Sequence, residues 1–118
     1  MPYKILLAED DPRLRDELKI LLENALYQVI APDAFDLIPQ AAVTEKADLV
    51  LLDINLGDHS GFDICTRIRT QTDIPVIFLT GVTDSGKIKE ALVLKPQGYL
   101  LKPIDHGKLI ESIENVIG

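Results

Sequence analysis

The hydrophobic residues of this chain fall into short unbroken runs, separated by stretches in which apolar residues recur at helical spacing. Runs without polar alternation, such as 49–52, are typical of strands buried on both faces of a parallel sheet. The spacing of Leu14, Leu18, Leu21 and Leu22 indicates an amphipathic helix with charged residues on its other face. The pattern predicts strands at 3–8, 27–31, 49–53, 74–79 and 99–101, and helices at 12–25, 34–44, 62–69, from a cap at Asp84 or Ser85 through Leu92, and at 109–117.

Five strands that alternate with five helices indicate an α/β fold with a doubly wound parallel sheet, of the flavodoxin-like kind. Right-handed crossovers leave few topologies for such a sheet, and they favour the strand order 2-1-3-4-5. The stretch 57–61 after the third strand is predicted to be a loop. No linker interrupts the pattern, so we expect residues 1–118 to form one domain.

Composition narrows the function classes that such a fold could serve. The chain has 118 residues, of which 47% are hydrophobic, too many for a disordered protein. Its net charge of −7 argues against direct binding to the nucleic-acid phosphate backbone and against docking on an anionic membrane. The single cysteine, Cys65, cannot form an internal disulfide, and we expect it to pack in the core. The first apolar run, 5–8, is too short for a signal peptide or a membrane span, so we expect a soluble, cytoplasmic protein.

Polar residues that could carry chemistry follow four of the predicted strands. Glu9 and Asp10 follow the first strand, Asp53 ends the third, Thr80 follows the fourth and Lys102 follows the fifth. Ligands of open α/β sheets bind at the carboxyl ends of the strands, which all lie at one edge. Each of these residues alone is more often a cap, turn or surface residue. Their joint placement at one edge favours a functional site.

The residue types at this edge favour chemistry on a phosphoryl group. In the predicted strand order the first and third strands are neighbours, so Glu9, Asp10 and Asp53 should crowd together, and their repulsion should raise a pKa or recruit a cation. Oxygen ligands with positions left for water suit Mg²⁺. Lys102 would add a positive charge and Thr80 a hydroxyl donor. Asp53 is then the natural nucleophile, because carboxylates can form aspartyl-phosphate intermediates.

The residues alone indicate no special role for the two histidines or for the lysine-proline peptide bond. The two histidines, His59 and His106, have no metal-ligand spacing, so we expect both in exposed loop or cap positions. The peptide bond between Lys102 and Pro103 should be trans, because only about 5–6% of such bonds are cis in folded proteins.

At these residues the chain resembles the receiver domains of two-component response regulators, the family that includes chemotaxis-type receivers. The resemblance covers essentially the whole chain. It rests on four motifs. These are the first strand with its acidic pair (5–11), the segment around Asp53 (51–56 with 60–61), the threonine with its small neighbour (79–81), and the aromatic residue with the lysine-proline pair (99–103).

The resemblance implies a Mg²⁺-dependent phosphoryl acceptor. Asp53 would accept the phosphoryl group from a phosphohistidine on a sensor histidine kinase or a phosphotransfer protein. Glu9, Asp10, Asp53 and the backbone carbonyl of Asn55 would hold Mg²⁺, and Lys102 would pair with the phosphate. The protein would then be a signalling switch with self-catalysed phosphotransfer and slow autodephosphorylation, and not an enzyme acting on external substrates.

The resemblance also implies how the switch is read out. The Thr80 hydroxyl would move onto the phosphate, and Tyr99 would pass from exposed to buried rotamers. The surface formed by the fourth helix, the fifth strand and the fifth helix would be the output face, which could also form a homodimer. In this family the bond equivalent to Lys102–Pro103 is usually cis, contrary to the general expectation given above.

Two departures from the family pattern affect loops. Gly57 stands where the family often has proline, which predicts a more mobile loop after Asp53. The sequence Lys-Pro-Gln-Gly at 95–98 replaces the commoner Gly-Ala before the fifth strand, and could change where the fourth helix ends. The second departure leaves the geometry of the output face open.

Three other functions compete with the phosphorylated switch. A receiver-like docking module that takes no phosphate would keep the fold without the chemistry. A small Mg²⁺-dependent phosphatase with an aspartyl nucleophile would need an acid at position 55, where this chain has asparagine. A flavodoxin-like module for a flavin or nucleotide would need a glycine-rich phosphate loop after the first strand, where this chain has acids.

Overall fold

The computed structural model describes residues 2–81 and 85–117, and side chains at 85–88 lie outside that description. Its central sheet consists of β1 (Lys4–Ala8), β2 (Gln28–Ile30), β3 (Leu49–Asp53), β6 (Val76–Thr80) and β7 (Gly98–Leu101). A separate two-stranded hairpin contains β4 (Asn55–Leu56) and β5 (His59–Ser60). The helices are α1 (Pro12–Asn24), α2 (Ile38–Thr44) after a 3-10 turn (Phe35–Leu37), α3 (Gly61–Arg69), α4 (Ser85–Val93) and α5 (His106–Ile117).

The five central strands are parallel and follow the order β2-β1-β3-β6-β7. With the hairpin strands left out of the count, this is the predicted order 2-1-3-4-5. Helices cover both faces of the sheet, as the unbroken apolar runs require. Alternate strand residues face the two layers, so that Leu6, Val50 and Phe78 belong to one core and Leu7, Leu51 and Ile77 to the other. The α/β fold is therefore confirmed, and Cys65 is buried in the first of these cores as predicted.

The predicted loop at 57–61 is wrong, because most of this stretch belongs to the hairpin and to the start of α3. Asn55 pairs with Ser60 and Leu56 with His59 across an antiparallel ladder. A two-residue turn closes it, and Gly57 adopts a φ of 63°, a conformation that glycine reaches without steric cost. His59 is exposed as predicted, but it lies in a strand and not in a loop.

Local sequence signals fix several helix starts. Asp11 caps α1 by accepting a 3.0 Å hydrogen bond from the Arg13 amide, and Pro12 is the first helical residue. Ser60 caps α3 in the same way through the Phe62 amide. Ser85 is the first residue of α4, and the alternative cap, Asp84, lies outside the described residues. His106 is exposed as predicted, but it is the first residue of α5 and not its cap, because Asp105 accepts the capping hydrogen bond from the Lys108 amide at 3.0 Å.

The segment between α4 and β7 is held by a side chain. Lys95 has a φ of 51°, which ends the helical path. Gln97 then pairs twice with Val76, because its amide donates to the Val76 carbonyl (2.9 Å) and its Oε1 accepts from the Val76 amide (2.8 Å). Arg69 donates to the same Oε1 at 3.2 Å and to the Ile74 carbonyl. The unusual sequence at 95–98 thus fixes the starts of β6 and β7.

The Lys102–Pro103 peptide bond is cis. The trans bond expected from general frequencies is therefore wrong, and the cis bond implied by the family resemblance is confirmed. Within 2–81 and 85–117, the helices are all too short or too polar to cross a membrane.

Candidate functional site

The register of the sheet brings the predicted site residues to one edge. Ala8 pairs with Leu52, and Asp53 with Leu79, so the ends of β1, β3 and β6 lie side by side. Thr80 pairs with Leu101 at the end of β7, one residue before Lys102. The carboxyl-terminal edge predicted from the sequence is therefore where the structure places Glu9, Asp53, Thr80 and Lys102.

Lys102 links two carboxylates that come from different strands. Its Nζ lies 2.8 Å from Asp53 Oδ2 and 2.9 Å from Glu9 Oε1. The two carboxylate side chains are 4% and 0% exposed, while that of Lys102 is 25% exposed. The Lys102 backbone amide also donates to the Thr80 carbonyl at 2.7 Å, which joins the ends of β6 and β7.

The second oxygen of each buried carboxylate accepts a hydrogen bond from the backbone. Asp53 Oδ1 accepts from the Asn55 amide at 2.9 Å. Glu9 Oε2 accepts from the Asp11 amide at 3.1 Å. Both carboxyl groups are therefore oriented before any ligand arrives, and each keeps its other oxygen on the side of Lys102.

The negative charge of this pair of acids is only partly neutralised by Lys102. Burial, together with the neighbouring Asp53 carboxylate, raises the pKa of Glu9 to about 7, although Lys102 and the Asp11 amide act in the opposite direction. Burial also lowers the pKa of Lys102, but hydrogen bonds to Asp53 and Glu9 outweigh burial and leave that pKa raised. Lys102 is therefore firmly protonated, while the site still carries more negative charge than one lysine can neutralise.

The donor set fits a hard divalent cation. One oxygen each of Glu9, Asp10 and Asp53 lies within 4.8 Å of the others. Glu9 Oε1 is buried and, among the described residues, has no hydrogen-bond partner besides its ion pair with Lys102. Asp10 is exposed, so a cation would keep access to water, as Mg²⁺ prefers. Asn55 is held beside Asp53 through its amide, and the role of its carbonyl remains a prediction.

Thr80, Tyr99 and His106 occupy separate positions in the fold. Thr80 is buried at the end of β6. Tyr99 lies further back on β7, where it is 38% exposed. His106 lies 3.1 Å from Glu17 on α1 and takes no part in the acidic cluster. In the part of the chain that the structure describes, neither histidine belongs to the cluster of Glu9, Asp10 and Asp53.

Gly61 has a positional role beyond its place in the sequence motif. A Cβ atom at this position would collide with the Asp53 carbonyl oxygen and would lie 2.7 Å from Ile54 Cα. The Gly61 amide donates to the Ile54 carbonyl at 2.7 Å. Because only glycine permits this approach, Gly61 holds the start of α3 against the backbone of the proposed acceptor. A glycine eight residues after Asp53 is the sequence signal for it.

Comparison with known proteins agrees with this geometry. The family model described as response regulator receiver domain matches residues 5–114. Sensory transduction protein BceR of Halalkalibacterium halodurans is 30% identical over 115 residues, which are 98% of this chain and 50% of that protein. The chain spans about half the length of the curated relatives it matches.

Two solved structures resemble the fold closely. The signal receiver domain of a modulated diguanylate cyclase from Desulfovibrio desulfuricans is 30% identical with a TM-score of 0.90, covering 99% of this chain and 94% of that one. The BeF3-activated receiver domain of RstA from Klebsiella pneumoniae is 27% identical with a TM-score of 0.89, covering 97% of each chain.

Proposed function

Because this chain belongs to the response regulator receiver domain family, we propose that Asp53 accepts a phosphoryl group and thereby switches a binding surface. The donor is a phosphohistidine, on a sensor histidine kinase or on a phosphotransfer protein. In the transfer the bond between phosphorus and the histidine nitrogen breaks, and a bond forms between phosphorus and a carboxylate oxygen of Asp53. The product is a mixed anhydride that water later hydrolyses.

The contact that carries this proposal is the pair of short distances from Lys102 to Asp53 and Glu9. A lysine that already lies beside the acceptor can pair with the incoming phosphoryl oxygens without a large rearrangement. The Asn55 amide orients the acceptor carboxylate from its other side. Positioning and charge neutralisation supply most of the catalysis in phosphoryl transfer, and both are built into this edge of the sheet.

Glu9, Asp10 and Asp53, with the backbone carbonyl of Asn55, are the residues that would hold Mg²⁺. The ion, when bound, neutralises negative charge on the transferred group. The burial of Glu9 and the raised pKa of its carboxyl support this assignment, because a divalent cation would remove the electrostatic penalty that the cluster now carries.

Readout would follow from the connections of the site. Thr80 ends β6, the strand that pairs with β7, and Tyr99 lies on β7, which supports the proposal that both respond to a phosphoryl group held by Lys102. The surface of α4, β7 and α5, on which Tyr99 and Leu101 are exposed, would be the output face, and it could form a homodimer. The sensor kinase and the homodimer are proposals, because this chain spans about half the length of the curated relatives it matches.

The experiment that tests the proposal is intact-mass analysis after incubation with Mg²⁺ and acetyl phosphate, with Asp53→Asn as the matched control. We expect a Mg²⁺-dependent gain of one phosphoryl group that is absent from the variant. Beryllofluoride, which mimics an aspartyl phosphate, should give an adduct with the same requirements. If neither reagent modifies the folded chain at saturating Mg²⁺, the phosphoryl-acceptor assignment is wrong and a docking module becomes the better account.

A further inference from the structure

An apolar groove lies between α3 and α4, with a volume of about 300 Å³. The described residues that line it, here called the α3–α4 groove, are Phe62, Asp63, Thr66, Glu90, Val93 and Leu94. None of them belongs to the proposed metal or phosphoryl site. Binding in the groove can therefore be tested without a phosphodonor, independently of the proposed metal and phosphoryl site.

The floor of the groove is continuous with the core. Phe62 and Leu94 pack against the buried cluster on this face of the sheet. The Phe62 ring meets Phe78 of β6 edge to face, with 5.5 Å between ring centroids. Above this fixed floor, Val93 is 77% exposed, and the adjoining Leu92 is 54% exposed. Exposed apolar residues above a well-packed apolar floor are typical of a surface that a binding partner covers.

The groove is poorly suited to a polar or anionic small molecule. Apart from the two acids, its only polar side chain among the described lining residues is Thr66, whose hydroxyl donates to the Phe62 carbonyl at 3.0 Å. The described charged residues of the lining, Asp63 and Glu90, are both acidic and exposed. Two carboxylates beside the opening would repel a nucleotide, a phosphate or a carboxylate ligand.

We infer that the α3–α4 groove binds a basic amphipathic helix of a partner protein. A volume of about 300 Å³ accommodates one or two aliphatic side chains, the anchors that a helix presents at positions i and i+4. Cationic side chains beside those anchors would meet Asp63 and Glu90 at the opening. The apolar floor and the acidic opening therefore favour the same ligand, a helix whose apolar anchor residues have cationic residues on both sides.

The test is a titration of the ¹⁵N-labelled chain, without phosphodonor, with a synthetic helical peptide that has leucine at every third or fourth position and lysine elsewhere. We expect saturable shifts of backbone amides within 62–66 and 89–94, with a Kd of about 0.1 mM. The same peptide with glutamate in place of lysine should bind at least about tenfold more weakly, because its charges would face the two acids.

Matched variants separate the groove from general stickiness. Val93→Lys should weaken binding at least about tenfold, because it removes an apolar wall and adds a repelling charge. Leu26→Lys makes the same kind of change at a residue 80% exposed in the turn after α1, and should leave binding unchanged. Neutralising both acids, with Asp63→Asn and Glu90→Gln, should cost about threefold and reduce the salt dependence.

Several outcomes would overturn the inference. No saturable shift with up to about 1 mM lysine peptide would mean that the groove holds no such helix. Equal binding of the glutamate peptide, or equal loss in the Val93→Lys and Leu26→Lys variants, would show non-specific apolar association. Shifts of the groove amides that depend on protein concentration alone would assign the groove to a second copy of the chain.

Discussion

Lowering the pH from about 8 to about 5.5 should stabilise this domain when no divalent cation is present. Carboxylates usually have the opposite effect, because in most folded proteins their pKa is lowered. Here burial and, to a lesser extent, the neighbouring Asp53 together raise the pKa of Glu9 from its ordinary value of 4.5 to about 7. The folded protein therefore keeps a proton on Glu9 at a pH where the unfolded chain has lost it.

The size of the effect follows from proton linkage. Between pH 4.5 and pH 7 the folded state binds more protons at Glu9 than the unfolded state does, so the free energy of unfolding falls as the pH rises through this window. The full penalty is about 3 kcal/mol and is complete above the folded pKa. Between about pH 5.5 and pH 8, the expected change is about 2 kcal/mol, which is large against the 5–15 kcal/mol typical of a domain.

The assay is urea denaturation at both pH values in the presence of a chelator, with Glu9→Gln as the control. The variant keeps both histidines and all other acids, so its own pH dependence provides the baseline. Lys102 remains protonated throughout this range, because its raised pKa lies above 10.5. Mg²⁺ should reduce the difference between the two pH values, since the cation competes with the proton. If the wild type and Glu9→Gln show the same pH dependence, the buried-proton reasoning is refuted.

Two further predictions concern the supports of the site. Gly61→Ala should destabilise the domain by about 1–3 kcal/mol and slow phosphoryl acceptance, because its Cβ would collide with the Asp53 carbonyl. Gly98→Ala, where a Cβ would meet the Ile77 side chain at an ordinary 3.8 Å, is the control for denaturation and acetyl phosphate kinetics. Gln97→Ala should cost about 1–3 kcal/mol in urea denaturation, because it leaves the buried Val76 amide without its acceptor. Gln97→Glu keeps an acceptor oxygen and should cost less; equal losses would contradict this explanation.

The edge of the sheet could be predicted because few physical rules decide it. Unbroken apolar runs require a sheet covered on both faces, and right-handed crossovers then fix which strands are neighbours. Once β1 and β3 are adjacent, the acids that follow them must lie together, and Lys102 at the end of β7 can reach them. The convergence of Glu9, Asp53 and Lys102 depends on no fine detail of packing, so it is visible in the sequence.

The features that were missed depend on single hydrogen bonds or dihedral angles. The hairpin β4–β5 is two residues long on each side, too short for an alternation pattern, and Gly57 indicated only mobility. The Gln97 side chain accepts a hydrogen bond from the Val76 amide, 21 residues earlier in the chain, in place of a strand carbonyl. The sequence holds no local signal for such a distant contact. Leu26, Lys46 and Lys95 adopt positive φ values without being glycine, which propensities do not predict.

The charge arrangement connects the acidic edge to the rest of the fold. Glu9 and Asp53, both buried, share one lysine and lie beside the exposed Asp10, so negative charge is in excess and water screens the repulsion of the buried pair poorly. A proton on Glu9 and a divalent cation are two alternative ways to correct this excess. A phosphoryl group on Asp53 would add further negative charge, so we expect phosphoryl acceptance to require the cation. We also expect the Lys102 ammonium group to turn from the Asp53 carboxylate towards the new phosphoryl oxygens. Because the Lys102 amide bonds to the Thr80 carbonyl, that movement would reach the ends of β6 and β7 directly.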